Sequence, residues 1–183
     1  MDERGVSRPA LIAAALALAG IAGGVTVFLV GSRIHESDRE AFRTWEAGTQ
    51  TAIARARGAH ASLPALRERL ESGGDAAQVR RALTEMRIRL ERAREQILAA
   101  TRAPILQPTT ALYLEGIAQS LAAVSALQDA AVRSARARAA SIARYEEAYA
   151  VAEGRFTDAA AAHERLRARL RLEPEDRALR RTT

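Results

Sequence analysis

Three histidines, His35, His60 and His163, are the side chains best suited to proton transfer or metal binding in this sequence, and they stand far apart. None belongs to a Glu-x-x-His or His-x-x-x-His pair, the spacings that set two ligands on one helical face. A di-metal carboxylate bundle would also need inward-facing acids, and the apolar seams described below carry no Asp or Glu. Cysteine is absent, which removes thiolate nucleophiles, thiolate metal sites and disulfides. No serine lies in a Gly-x-Ser-x-Gly turn, and no glycine-rich phosphate loop is present; the Gly-Gly pairs fall at Gly23–Gly24 and Gly73–Gly74. The sequence therefore predicts no catalytic residue, no cofactor and no metal. His163 alone occupies a seam position, where a charge gained near pH 6.5 would reach a pairing surface. Its simpler reading is a partly buried polar residue at the rim.

The other chemically active groups are arginines. All 28 basic residues are arginine, set against 22 acids for a net charge of +6. Arg133, Arg136, Arg138 and Arg144 lie in a run free of acids from Ala130 to Tyr145, and Arg165, Arg167, Arg169 and Arg171 form a second cluster. Such a patch could meet anionic lipid or an acidic glycopolymer. A solvated helix face is the plainer alternative, because Glu85 and Arg89 pair at ordinary helical spacing. There is no aromatic interleaving and no reader motif, so a nucleic-acid partner is not expected.

The elements that must carry these residues are helical. Alanine, leucine, arginine and glutamate dominate, and aromatics make up only 4% of the 183 residues. Residues 1–9 form a short tail, and 10–30 contain no charge. Ten of those 21 residues are Leu, Ile, Val or Phe. At 1.5 Å per residue the run spans roughly 30 Å, the thickness of a bilayer's hydrocarbon core. It exceeds a normal signal-peptide core, and cleavage after Ala17–Ala19 would leave an apolar N-terminus. The expectation is an uncleaved single transmembrane helix. Gly20, Gly24 and Gly31 mark one face of it, a candidate contact for a second copy. Arg4 and Arg8 before it and Arg33, Arg39 and Arg43 after it balance, so charge does not set orientation. An exported C-terminal domain is the common bacterial arrangement for so short a tail.

Residues 31–172 read as helical bundle and coiled coil, and 173–183 as a polar tail. The first heptad stripe, Phe42, Trp45, Thr49, Ala52, Ala56, Ala59, Leu63, Leu66 and Leu70, is crossed by Pro64, where a kink or a break capped by Ser62 is expected. Asp75 with Gln78 resembles a capping box opening a second helix to about Thr101. Its stripe runs through Ala76, Val79, Leu83, Met86, Leu90, Ala93, Ile97 and Ala100, with Ile88 left outside. After the loop at Arg102–Thr110 a third stripe holds one register to Leu172, a length of about 95 Å. The fold class expected is all-α: the transmembrane helix, then an antiparallel three-helix bundle with a long coiled-coil-like last helix. Without Gly or Pro near Arg138, extension of that helix is preferred over a return as a fourth helix. Its last part, Ile142, Tyr145, Tyr149, Phe156, Leu166 and Leu170, is the candidate coiled-coil seam for a second copy.

These features point to a non-enzymatic, single-pass protein of the cell membrane. The expected partners are the membrane and another protein, including a second copy of the chain. The leading expectation is a scaffold or interaction subunit of a cell-envelope assembly. The alternatives are an extracytoplasmic sensory bundle that signals through a partner, and a cytosol-facing tether for an anionic partner.

Overall fold

The computed structural model describes residues 36–170, apart from the side chains of Ala135 and Arg136. The expected transmembrane helix, its Gly20, Gly24 and Gly31 face, and both tails lie outside the described residues. The chain divides into two compact units, Met1–Glu40 and Ala41–Thr183, and the description below concerns the second. Helix α1 covers 36–61, and its residues from Ala41 onward belong to this second unit. Helices α2 (Leu63–Glu71), α3 (Ala76–Ala100), α4 (Gln107–Val132) and α5 (Ala135–Arg169) follow, with a single 3-10 turn at Pro104–Leu106 leading into α4. No strand occurs among the described residues.

Helices α1 and α2 act as one interrupted rod. Pro64 lacks an amide hydrogen, so the helical ladder must break just before it. The Ser62 amide moves to the Ala59 carbonyl, and the Ser62 hydroxyl takes over the Gly58 carbonyl at 2.8 Å. Ser62 keeps right-handed helical angles and gives no side-chain cap to α2. The register therefore survives, and all nine stripe residues from Phe42 to Leu70 are buried. Gly73 then turns the chain with a φ of 81°, a left-handed value that side-chain-bearing residues resist. The Asp75 carboxylate caps α3 through the amides of Ala77 and Gln78.

The long last helix expected from the sequence is broken, and this corrects the three-helix reading. Arg133 and Ser134 adopt extended angles, with ψ of 154° and 157°, between α4 and α5. The Ser134 carbonyl accepts from the amides of Ala137 and Arg138 and starts the new helix. This turn needs no Gly or Pro because neither residue has a positive φ, and any L-residue reaches the extended region. The chain thus folds back as a fourth rod. From Glu46 to Leu70 on α1 and α2, contacts step backwards along α5 from His163 through Glu153 and Glu146 to Arg138. Helix α5 is therefore antiparallel to the α1–α2 rod, and at 1.5 Å per residue both are roughly 50 Å long.

Helix α4 lies at the centre. Its buried residues include Tyr113, Gly116, Ile117, Ser120, Val124 and Leu127, which point in several directions and serve neighbours on more than one side. Pro104–Val132 is long and apolar enough to cross a membrane by length and composition, yet half of its most apolar stretch is buried within the bundle. Alanine and leucine make up most of the buried core; alanine lets helices approach closely, and the large rings fill the remaining volume. Trp45, Phe42 and Tyr145 are nearly or fully buried. The Trp45 indole N–H donates to Thr101 Oγ1 at 3.1 Å, and Thr101 Oγ1 also meets Thr110 Oγ1 at 3.0 Å. Trp45 is thus core and its one polar atom is satisfied.

Candidate functional site

Helices α1 and α5 are joined by two histidine–carboxylate contacts of opposite sense. In one, α1 supplies His60 and α5 supplies Glu153. In the other, α1 supplies Glu46 and α5 supplies His163.

His60 is 2% exposed. Its Nε2 lies 3.0 Å from Glu153 Oε2, and its Nδ1 lies 3.1 Å from Ser120 Oγ on α4. Tyr149 stacks on the imidazole, with ring centroids 4.2 Å apart and planes 13° from parallel, and Phe156 covers another side. Burial pulls the His60 pKa below its ordinary value of 6.5, while the Glu153 hydrogen bond and charge pull it back up. A neutral ring donates from Nε2 to the carboxylate and leaves Nδ1 to accept from Ser120. The Ser120 hydroxyl also reaches the Gly116 carbonyl at 2.9 Å. It can therefore turn: towards Nδ1 when the ring is neutral, towards Gly116 when a protonated ring donates to it.

Serine, histidine and carboxylate in this order match the groups of a hydrolytic nucleophile. The surroundings do not match. Ser120 is fully buried in the middle of α4, so no substrate carbonyl reaches it. The neighbouring amides lie within the same helix and are occupied by its ladder, which leaves no oxyanion hole. The triad is a satisfied polar core, in which every buried group has a partner.

The second contact is open on one side. His163 Nε2 lies 2.7 Å from Glu46 Oε1, and Arg167 Nη2 bonds the same oxygen. The side chains of His163, Glu46 and Arg167 are 14–16% exposed. Phe42 meets the imidazole edge-on at 5.3 Å between centroids, and Trp45 packs at 5.4 Å. Because Glu46 accepts from Nε2, Nδ1 faces the Tyr113 hydroxyl at 3.5 Å, a long contact. Burial pushes the Tyr113 phenol up and the Arg57 guanidinium pulls it down; it remains a protonated donor at neutral pH. These groups line a cleft of about 240 Å³ with Gln50, Ile53, Ala54 and Arg57 of α1 and Glu164 of α5. His60 and His163 each meet one carboxylate. Among the described residues no three His, Cys, Asp or Glu side chains converge as a metal site would require.

The other residues singled out from the sequence take structural places. Ile142, Tyr145, Phe156, Leu166 and Leu170 are buried and Tyr149 is mostly covered within the chain's own bundle. Tyr145 lies under the Arg67 guanidinium at 5.9 Å, and burial pushes its phenol up to about 12. The arginine cluster is not a single patch. Arg133 is exposed. Arg138 donates to the Leu70 carbonyl at 2.9 Å, satisfying the end of α2. Arg144 holds Asp129 and Ser141, both at 3.1 Å. Arg136 belongs to α5, and its side chain is outside the description. In the second cluster Arg167 turns into the cleft, while Arg165 and Arg169 face solvent.

Glu46, Arg57 and Tyr113 were not singled out as site residues. The signal was faint: Glu46 stands four residues after Phe42 beside the aromatic stripe, and Arg167 stands four after the seam histidine. Nothing in their types distinguishes them from solvated charges until α5 folds back. No family model matches the chain, and no curated protein or solved structure matches it.

Proposed function

We propose that this chain is a non-enzymatic, single-pass membrane protein whose exported helical bundle works by recognition, binding a small polar ligand and passing its state to a protein partner. The observation that carries this reading is the cleft where Glu46, His163, Arg167 and Tyr113 converge from α1, α4 and α5. A ligand seated there touches three helices at once, so binding is coupled to their packing. The anchor in this reading rests on the uncharged run at 10–30.

A scaffold role is the second candidate, and less supports it. The seam that would pair with another copy is occupied by the chain's own helices. The exposed large apolar residues among those described, Ile88, Leu98, Val132 and Val151, are scattered over α3, α4 and α5. Single exposed apolar residues are ordinary on a protein surface, whereas a docking face is contiguous.

The test is a melting series on the full chain in mild detergent against a library of small polar metabolites. The recognition reading expects a saturable rise in Tm with at least one class of compound. A Tm that no compound moves, together with a salt-resistant crosslinked dimer, favours the scaffold.

A further inference from the structure

We propose that the cleft takes a small monocarboxylate, with its head on Arg57 and its chain against Ile53 and Ala54; this rests on the recognition reading above. Charge balance points there. Arg167 is compensated twice, by Glu46 and by Glu164 at 3.4 Å. His163 is held by Glu46. Arg57 makes no hydrogen bond or ion pair among the described residues, so it is the cleft's one uncompensated charge. Its field already reaches the Tyr113 phenol.

A planar guanidinium fork matches the two oxygens of a carboxylate, a geometry that adds orientation to charge. The Tyr113 hydroxyl has only the long contact to His163, and so has donor capacity left for a ligand oxygen. The Gln50 amide at the rim offers another donor. Beside these donors, Ile53 and the methyl of Ala54 offer a short apolar wall. Glu46 and Glu164 set the limit on charge: a phosphate dianion would face both, whereas a carboxylate brings a single charge to the arginine. A space of about 240 Å³ suits a molecule of a few carbons, since drug-sized ligands occupy roughly 300 Å³ or more. Another cleft, lined by Glu71, Arg138, Ile142 and Glu146, differs: Arg138 gives one Nη to the Leu70 carbonyl and keeps a buried Nε without a partner, so its guanidinium is turned into the fold and not presented as an open fork.

Trp45 is the protein's single tryptophan and packs on His163, so its fluorescence reports on the cleft. The experiment titrates the full chain in mild detergent with two- to six-carbon monocarboxylates, the matching primary alcohols and inorganic phosphate. Trp45 emission and Tm are followed together. Carboxylates are expected to change both saturably, with alcohols and phosphate inert, and Arg57→Gln is expected to raise the apparent Kd at least about tenfold. Arg165→Gln, an exposed arginine outside the cleft, should bind like the unmodified chain. Equal carboxylate binding by Arg57→Gln, or a response to alcohol or phosphate instead, overturns the carboxylate assignment and leaves the recognition reading standing. If none of these compounds moves either signal, the carboxylate assignment falls, and the recognition reading falls with it only if the metabolite library also leaves Tm unmoved.

Discussion

His60 with Glu153 and His163 with Glu46 are the same pair of side chains bridging the same two helices, and the two places differ in what surrounds them. His60 is closed beneath Tyr149 and Phe156 and has a serine to satisfy its second nitrogen. His163 looks into a cleft, shares its carboxylate with Arg167, and has only a long contact at its second nitrogen. In the sealed site every group is spoken for, so the network serves packing and fixes the register of α1 against α4 and α5. In the open site hydrogen-bonding capacity and charge are left over, which is the condition for recognition. Residue type does not separate these outcomes; burial and the number of partners do.

The contrast can be broken most severely at Gly116. A Cβ there would lie 3.0–3.3 Å from three atoms of the Phe156 ring, the ring that covers His60. Gly116→Val should destabilise the fold by about 3 kcal/mol, through overpacking and the strain of a β-branched residue, read from the denaturant midpoint. Next, His60→Ala should cost about 2–3 kcal/mol by opening a cavity beneath Tyr149. His163→Ala should cost about 1 kcal/mol, since Arg167 still holds Glu46 and the site already meets solvent. Equal costs would erase the distinction between the two sites.

Acidification sharpens it further. The folded His60 pKa lies below 6.5, so the unfolded chain takes up its proton first as pH falls. This contribution to stability is fully present above pH 6.5. It is lost as pH drops from 6.5 towards the folded pKa, with a slope of at most about 1.4 kcal/mol per pH unit. Denaturant titrations between pH 7.5 and 5.5 should show this decline, and His60→Gln should flatten it. The smallest effect belongs to Ser120→Ala, about 1 kcal/mol or less. It removes the partner of Nδ1 but leaves the Glu153 bond, and a double-mutant cycle with His60→Gln should return most of that as coupling.

Much of the fold was legible because heptad spacing is a direct image of burial. The α1–α2 stripe holds across Pro64, and Val79, Leu83, Leu90, Ala93 and Ile97 line the inner face of α3, with Ile88 left outside on the exposed side. The return of α5 was not legible. A turn through two extended residues has no compositional mark, and the stripe resumes after it in nearly the same phase. Tyr145, Tyr149 and Phe156 show that an apolar seam is needed but not which surface covers it; here the cover is α1, α2 and α4. The candidate site was less legible still. His163 stood out by its seam position, yet Glu46 and Tyr113 became its neighbours only through contacts 117 and 50 residues apart in sequence.

The central claim is that the two histidine sites differ in access, one sealed and one receptive. Side-chain imidazole NMR on the full chain, titrated with a short monocarboxylate at neutral pH, reads both sites in one sample. His163 resonances should shift saturably while His60 resonances stay fixed. Shifts at His60 with none at His163, or equal shifts at both, would contradict the account.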